Sequence, residues 1–359
     1  MKKIDINEKF LEDYLNSNSP TGFEYELGGQ KLWMDYISNF TDSVKLDAYG
    51  TAYAEMGNLD SDFKVVIEAH ADEISWLVNY IDSKGYIKVI KNGGSDTSIA
   101  PSMRVTLWGE KGPVDGVFGH PAIHVKDRKS EATLDSIFID VGASNKAEVE
   151  KMGIFVGTVI TFKDGFMRLG ENYYTGRALD NRVGGFMIAE VARMLSEIGK
   201  SLPYKLYIVN AVQEEVGMRG AAMIADRLKP DVAIVTDVCH ETSSPAYNAT
   251  KGEVIAGQGG VITRAPSVHN KLRKLIMDTA DKNKIKFQRA AKTKATGTDT
   301  DAFAYSNGGT PSALISLPMK YMHTTCETVH KLDVKNVINM IYNTLLSIDE
   351  NHNFNYDSK

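Results

Sequence analysis

The chain has 359 residues and lacks the features of several common protein classes. It contains two cysteines, Cys239 and Cys326, too few for a disulfide framework, and this indicates a reducing compartment, for which we expect the cytoplasm. No apolar run of about 18 residues is present and none follows the two lysines near the first residue, so we expect neither a membrane span nor a signal peptide. The net charge of -5 argues against nucleic acid as a partner, because nucleic-acid binding needs a basic surface.

Motifs for nucleotide binding and for serine hydrolases are also missing. The glycine-rich run at residues 257–260 is followed by isoleucine at position 262, where a dinucleotide-binding fingerprint would have its third glycine. We therefore interpret this run as a turn. The sequence contains neither the phosphate-binding pattern GxxxxGKS/T nor the nucleophile elbow GxSxG, which argues against both kinds of chemistry.

What the chain does contain is an ordinary globular composition, with 43% hydrophobic and 24% charged residues. A chain of this length and composition can bury a large core. Apolar periodicity predicts helices and short buried strands that alternate in both outer parts of the chain. Besides a first helix before the turn at 19–22, the predicted helices cover 24–37, 182–198, 267–284 and 334–348, and the predicted strands cover 64–69, 205–212, 232–236 and 312–317.

The pattern of apolar and polar residues is different in the middle of the chain. Between residues 74 and 163, short stretches of alternating apolar and polar residues are separated by glycines and charged turns, a pattern typical of a β-rich module. We therefore predict an α/β fold in which a mixed sheet is sandwiched by helices and a small β-rich domain is inserted. The expected boundaries are 1–73 and 164–359 for the α/β domain and 74–163 for the insert.

Polar residues of the types that bind metals stand near the ends of the predicted strands. All but one follow a strand directly or within a few residues, and the exception precedes the helix at 182–198. In chain order these residues are His70, Asp72, Asp180, Glu214, Glu215, Asp237 and His323. Because ligands of open α/β sheets bind beyond the carboxyl ends of the strands, four strand ends would deliver these side chains to one rim.

Each of these residues has a simpler structural interpretation when it is taken alone. An isolated histidine is more often structural than a ligand, adjacent glutamates usually form a solvated face, and an aspartate before a helix is favoured by the helix dipole. The joint pattern of two imidazoles and several carboxylates is what favours a metal site. This donor set suits zinc, and also cobalt or manganese, and it is large enough for two ions that share one carboxylate.

The adjacent pair Glu214 and Glu215 allows a division of roles. One would bind metal, while the other would accept a proton from water and pass it to the leaving group. A two-metal site can turn water into hydroxide and polarise a carbonyl group. Cys326 is interpreted as a packing residue, and His120 and His124 in the insert are candidates for interface or substrate contacts, with a structural role favoured.

Longer motifs, in this order and at this spacing, make the chain resemble a known family. They are EAHADEISWLV, TGRALDNRVGG, VQEEVGMRGA, TDV and LPMKYMHTTCETV, together with SPTGFEYEL near the first residues. The combination resembles the metallo-aminopeptidases that assemble into tetrahedral dodecamers, the TET family. This family includes glutamyl and deblocking aminopeptidases and members labelled endoglucanases. The match extends over nearly the whole chain.

The resemblance implies a metal-binding role for five residues of the set. Asp180 would bridge two divalent metal ions, with zinc expected and cobalt or manganese as alternatives. His70 and Asp237 would complete the site of one ion, and Glu215 and His323 would complete the site of the other. The family pattern implies these individual roles, whereas the spacing of the residues indicates only that a metal site is present.

The resemblance also assigns the two remaining carboxylates and an assembly. Glu214 would be the general base, and Asp72 would fix the tautomer of His70 without binding metal. The core would be of the zinc-peptidase-like phosphorylase/hydrolase type, and the insert would be a dimerisation domain. Dimers would build a homo-oligomeric dodecamer, whose inner chamber would admit short peptides as substrates.

Three other functions are weighed against the aminopeptidase. A glycosidase needs two carboxylates about 5–9.5 Å apart but no histidines beside them, so the donor set argues against it. A related two-metal amidohydrolase, such as a carboxypeptidase or deacylase, is the main alternative, and a non-catalytic scaffold would have lost a ligand or the base. Residues 238–248 and 295–309 depart from the usual family pattern near the expected pocket, which leaves the preferred N-terminal residue open.

Overall fold

The computed structural model describes residues 5–124, 131–199, 201–245, 247 and 252–356. Parts of the predicted insert (125–130) and of the stretch 238–248 thus lie outside the described residues. The helices are α1 (Glu8–Asn16), α2 (Gly29–Ile37), α3 (Lys146–Lys151), α4 (Leu179–Glu197), α5 (Arg219–Leu228), α6 (Asn270–Lys282), α7 (Thr300–Ala304) and α8 (Lys331–Ser347). The strands are β1 (Ser43–Leu46), β2 (Ala52–Gly57), β3 (Lys64–His70), β4 (Ser75–Ile81), β5 (Ile87–Asn92), β6 (Arg104–Gly109), β7 (Gly112–Phe118), β8 (Ile139–Asp140), β9 (Val159–Phe162), β10 (Met167–Leu169), β11 (Tyr173–Gly176), β12 (Lys205–Ala211), β13 (Val232–His240), β14 (Gly260–Arg264), β15 (Phe287–Ala291), β16 (Ser312–Lys320) and β17 (Glu327–His330).

Four parallel strands form the centre of an 11-stranded sheet with the order β1-β2-β12-β3-β13-β16-β17-β11-β10, to which β14 and β15 attach through β16. β12, β3, β13 and β16 run parallel, with Ala211 opposite His70 and Asp237 opposite Ser316. Nearly all their residues are buried, as expected when helices cover both faces of a parallel sheet. Antiparallel strands flank this centre. The predicted mixed α/β sheet is confirmed.

The β-rich middle of the chain forms a closed barrel with the strand order β4-β5-β8-β7-β6-β9. The barrel has a hydrophobic core of its own, distinct from the core of the large sheet. Trp76 is fully buried there and packs edge-on against Phe118 and Phe162, with ring centroids 5.5 and 6.4 Å away. A small β-rich unit thus interrupts the α/β fold, as the alternating pattern predicts.

Some element boundaries differ from the predicted ones. Helix α2 begins at Gly29 and not at residue 24, because Gly28 has φ 94, a conformation that glycine adopts readily and that ends the preceding turn. The strand predicted to end at 236 continues to His240, and the strand predicted to end at 317 continues to Lys320. The rim of the sheet is therefore slightly longer than the apolar runs indicate.

Several short elements are not predicted at all. Edge strand β1 is partly exposed and edge strand β10 is exposed along its length, so their apolar pattern is weak. Helix α5 begins after Gly217 and Met218, which both have positive φ, and no side chain caps its first turn, so the usual start signal is missing. Among the described residues, no helix combines the length and apolarity that a membrane crossing would need.

Removing the Trp76 side chain is expected to destabilise the barrel strongly. A large-to-alanine change at a fully buried aromatic residue costs about 3–5 kcal/mol, because it leaves a cavity that the neighbours fill only in part. The free energy of unfolding of Trp76→Ala can be compared with that of Phe155→Ala, whose side chain is 37% exposed. Denaturant titration followed by circular dichroism should show a much larger loss for Trp76→Ala, and equal losses would contradict the packing described above.

Candidate metal centre

Strand β3 ends at His70, whose imidazole is buried and faces carboxylates on both sides. Its Nε2 atom lies 3.2 Å from Oδ1 of Asp180 and 3.8 Å from Oδ1 of Asp237. Its Nδ1 atom lies 3.2 Å from the backbone oxygen of Asp72 and 3.4 Å from Oδ1 of the same residue. A proton on Nδ1 is therefore held by Asp72, which directs the Nε2 lone pair at the other two carboxylates.

His323 follows β16 in a turn and approaches Asp180 from the opposite side. Its Nε2 atom lies 3.3 Å from Oδ2 of Asp180 and 3.4 Å from Oε1 of Glu215. Its Nδ1 atom lies 3.3 Å from the backbone oxygen of Gly94, in the barrel loop that follows β5. When Nδ1–H donates to this oxygen, Nε2 is free to bind a cation. Both predicted histidines thus present the same ring nitrogen to the centre.

Asp180 lies between the two histidines, and each of its carboxylate oxygens faces a different one. It belongs to the first turn of α4, where its backbone N–H donates to Oε2 of Glu327 at 2.9 Å. The other oxygen of Glu327 accepts from the backbone N–H of His323 at 2.8 Å. The residue Glu327 is buried and was not predicted, although it is the acidic residue of the motif LPMKYMHTTCETV. It connects the backbones of two candidate ligands.

Asp72 connects the two glutamates that follow β12, as Glu327 connects Asp180 and His323. Its Oδ1 accepts from the backbone N–H of Glu214 at 2.9 Å, and its Oδ2 accepts from that of Glu215 at 3.2 Å. The hydroxyl of Thr21 donates to Oδ2 at 2.9 Å. The glutamates form a single turn of 3-10 helix. Asp72 therefore positions this turn as well as the ring of His70.

The structure brings all seven predicted residues together at one rim of the sheet. Three groups of side chains have ligand atoms within 4.8 Å of one another. These groups are His70–Asp180–Asp237, Asp180–Glu215–His323 and His70–Glu214–Glu215. The first two groups share Asp180, so one carboxylate lies at the junction of two possible cation sites.

The other candidates take no part in this cluster. His120 and His124 are exposed on the barrel, and Cys326 is exposed after the turn that carries His323. Cys239 lines the cavity beside the centre, and burial raises the pKa of its thiol to about 12, so it is protonated at neutral pH and a poor nucleophile. The interpretation of Cys326 as a packing residue is wrong in detail, because its side chain is not buried.

Closely packed, buried carboxyl groups dominate the electrostatics of the centre. Burial raises the pKa of Glu214 to about 9 and raises the pKa values of Glu215 and Asp237 above their ordinary values. Hydrogen bonds to Asp180 and Glu215 raise the pKa of His323 to about 11. Burial would also raise the pKa of Asp180, but its hydrogen bonds with the two imidazoles outweigh burial and lower it. Several carboxyl groups thus compete for hydrogen bonds with only two imidazoles. Divalent cations fit this donor set, because their positive charge would stabilise the ionised carboxylates.

The centre opens onto a cavity of 1210 Å³. This volume exceeds the range of about 300–1,000 Å³ that is usual for small-molecule sites, so an extended ligand can enter. His70, Asp180, Glu214 and His323 form part of its wall, and the cavity continues past β13 and β16 toward β14 and β15. A ligand bound at the rim would therefore extend over the neighbouring strands.

Comparison with known proteins identifies relatives along most of the chain. The model of the M42 glutamyl aminopeptidase family matches residues 50–340. A lysyl aminopeptidase of Pyrococcus furiosus is 33% identical over 341 residues, which cover 93% of this chain and 95% of that protein. The crystal structure of a TET aminopeptidase from the marine sediment archaeon Thaumarchaeota archaeon SCGC AB-539-E09 has a TM-score of 0.90 at 25% identity and covers 96% of both chains. The TET1 peptidase of Pyrococcus horikoshii has a TM-score of 0.82 at 27% identity, with 94% of this chain and 98% of that chain covered.

A mixed α/β sheet with histidines and carboxylates at the ends of its parallel strands defines a protein whose rim can hold metal ions. The chain belongs to the M42 glutamyl aminopeptidase family. It is therefore a peptidase of the aminopeptidase class, and the resemblance to the tetrahedral-shell aminopeptidases is confirmed.

Gly94→Ala is expected to weaken metal binding without unfolding the protein. A Cβ atom at this position would lie 2.5 Å from Nδ1 and 2.7 Å from Cε1 of His323, so the imidazole would have to turn away from Asp180 and Glu215. Loss of such an orienting contact costs about 10–100-fold in metal affinity. Zinc titration with a competing chelator measures this, and Ser98→Ala, an exposed change in the same loop, is the control. Wild-type affinity in Gly94→Ala would show that the loop does not support His323.

Proposed function

We propose that this protein is a two-metal aminopeptidase that removes the N-terminal residue of short peptides. The observation that supports this most directly is the position of Asp180, whose two oxygens face His70 and His323 separately. One cation would be held by Asp180, His70 and Asp237, and a second by Asp180, Glu215 and His323. Imidazole and carboxylate ligands suit zinc, with cobalt or manganese as substitutes.

The bound ions would polarise the scissile carbonyl group and lower the pKa of a water molecule. We assign proton transfer to Glu214, which lines the cavity and is held through its backbone by Asp72. Glu214 also lies within ligand distance of His70 and Glu215. Because each of those two residues already belongs to a group with Asp180, Glu214 is the carboxyl group left over. Bound cations would lower its pKa from about 9, so that the carboxylate can accept a proton from water and deliver it to the leaving amine.

The barrel is proposed to have a role in assembly. We assign residues 1–73 and 164–359 to the catalytic domain and 74–163 to a dimerisation domain, from which dimers would build a dodecamer. Large apolar side chains are exposed on the barrel, including Ile123 at 85% and Val156 at 69%, and pairing with a second copy would remove such side chains from water. The Pyrococcus horikoshii TET1 peptidase assembles into a tetrahedron or a large octahedral shell. We also propose that the enzyme acts on peptides in the cytoplasm, the compartment expected from its two cysteines.

Turnover of aminoacyl-p-nitroanilides by metal-depleted and reloaded enzyme tests the proposed reaction. Protein treated with EDTA should be inactive, and zinc, cobalt or manganese should restore release from substrates with a free amine. The N-acetylated analogue is the control and should not be cleaved. Cleavage of the acetylated substrate alone would point to the amidohydrolase alternative, and absence of release with every metal would contradict the proposal.

Glu214→Gln should keep its metal but lose turnover. Removing a general base lowers the rate by about 10²–10⁴-fold, whereas Asp180→Ala should lower the metal content itself because it removes the shared ligand. Metal stoichiometry and kcat measured on both variants separate these effects. Glu253→Gln is the matched control, since Glu253 lines the same cavity outside the centre. If Glu214→Gln retained full activity, or Asp180→Ala retained full metal content, the corresponding role would be wrong.

A further inference from the structure

The wall of the cavity beyond the metal centre carries a group of positively charged side chains. Arg264 ends β14, Arg289 lies on the adjacent parallel strand β15, and Arg273 lies on α6, the helix between these strands. All three line the same cavity as the candidate metal ligands. We call them the arginine triad. Three separate elements of the fold thus bring a guanidinium group to one region.

The arginine triad lacks the carboxylate partners that other arginines of this protein have. Within the described residues, no acidic oxygen lies within 4.0 Å of a triad guanidinium, whereas Arg177, Arg182 and Arg193 each pair with a glutamate. The Nε atom of Arg273 is buried and donates to no acceptor among the described residues. The pKa of Arg273 is lowered by burial and by repulsion from the two other arginines of the triad.

Three positive charges brought to one region repel one another, and Arg264 and Arg289 are exposed while Arg273 is half-buried. The buried Nε of Arg273 has no partner among the described residues that replaces its hydrogen bond to water. Glu253 is the one acidic residue outside the metal centre among the described residues that line the cavity, and none of its oxygens lies within 4.0 Å of a triad guanidinium. The charge of the wall therefore favours a ligand that brings its own negative group.

The strand register gives the position of the triad relative to the centre. Asp237 on β13 is opposite Ser316 on β16. On the other side of β16, the antiparallel strand β14 has Ile262 opposite Ile315, and Arg264 is two residues further along β14. Measured along the strands, Arg264 is therefore about three residues, roughly 10 Å, from the level of Asp237. Two strand spacings separate β13 from β14, roughly another 10 Å sideways. The backbones are therefore roughly 14 Å apart, a span that about four extended residues would cover.

We propose that the arginine triad binds the C-terminal carboxylate of a short peptide substrate whose N-terminal residue lies at the metal centre. This inference rests on the proposed aminopeptidase function. Guanidinium groups bind carboxylates through paired hydrogen bonds, and three guanidinium groups without a carboxylate partner among the described residues provide the donors for such a group. The span of roughly 14 Å matches the length of a peptide of about four residues.

Leu-Gly-Gly-Gly with a free or an amidated C-terminus tests this site, because the two peptides differ only in one carboxylate. Glutamyl- and glutaminyl-p-nitroanilide are the control, since they differ only in the carboxylate of the first side chain. Metal-loaded wild-type enzyme should favour the free C-terminus by about tenfold or more in kcat/KM, because charge-assisted hydrogen bonds are worth this much. The preference should be expressed mainly in KM and should decrease at high salt.

The variant Arg264→Gln/Arg273→Gln/Arg289→Gln should lose this preference while it still cleaves leucyl-p-nitroanilide. Arg227→Gln, an exposed arginine on α5 outside the cavity, is the matched control and should keep the preference. Arg273→Gln alone provides a milder change if the triple variant is poorly folded. Equal rates for the free and the amidated peptide in the wild type, or a preference that the triple variant retains, would overturn the proposal.

A binding measurement separates failure of this inference from failure of the proposed function. Metal-loaded Glu214→Gln protein can be titrated calorimetrically with the free and amidated forms of Leu-Gly-Gly-Gly. Tighter binding of the free form, lost in the combined triad variant, would support the anchoring site even if no substrate were cleaved. Equal binding of the two forms would overturn it, whatever the enzyme's activity.

Discussion

The arrangement of the site depends on one carboxylate that contacts two imidazoles. Asp180 presents one oxygen to His70 and the other to His323, and these histidines come from strands that are not adjacent in the sheet. Because β3 and β16 run in the same direction, the end of β3 and the turn that follows β16 lie at the same edge of the sheet. The intervening strand β13 contributes Asp237 between them. The parallel centre of the sheet is thus the geometric requirement of the site.

Near this carboxylate, buried ion pairs connect the start of α4 with the end of α1, two segments that lie outside the sheet. Glu73, just after β3, pairs with Arg177 and lies near Arg182. Arg182 is fully buried and donates to the backbone oxygens of Tyr14 and Ser17 at the end of α1. Because an unpaired charge in such surroundings would be costly, these contacts hold the first turn of α4, and with it Asp180, against the start of the chain.

The residues that could be predicted from the sequence are those whose position follows from strand direction. His70, Glu215 and His323 each follow an apolar run, and such runs end at one edge of a parallel sheet. Glu327 and Gly94 could not be found in this way, because their roles depend on contacts between segments far apart in the chain. The arginine triad was missed for the same reason.

The fold was predicted where burial is complete and missed where it is partial. The central strands are continuous apolar runs and leave a clear signal, whereas β10 is exposed along its length. Helix α5 has an apolar face but an uncapped start, so the sequence carries no signal for where it begins. The left-handed turn at Gly28, which delays α2, follows from local backbone geometry that apolar periodicity does not describe.

The insertion of the barrel also affects the order in which the chain can fold. Lys64 on β3 pairs with Lys205 on β12, so about 140 residues separate two neighbouring strands of the central sheet, and contacts of this range form slowly. The barrel strands lie within a contiguous stretch and can pair as soon as that stretch is available. During synthesis the barrel would therefore be complete while β3 still lacks its neighbours β12 and β13. A folded barrel then brings the two halves of the large sheet close together and shortens the effective loop that their pairing has to close.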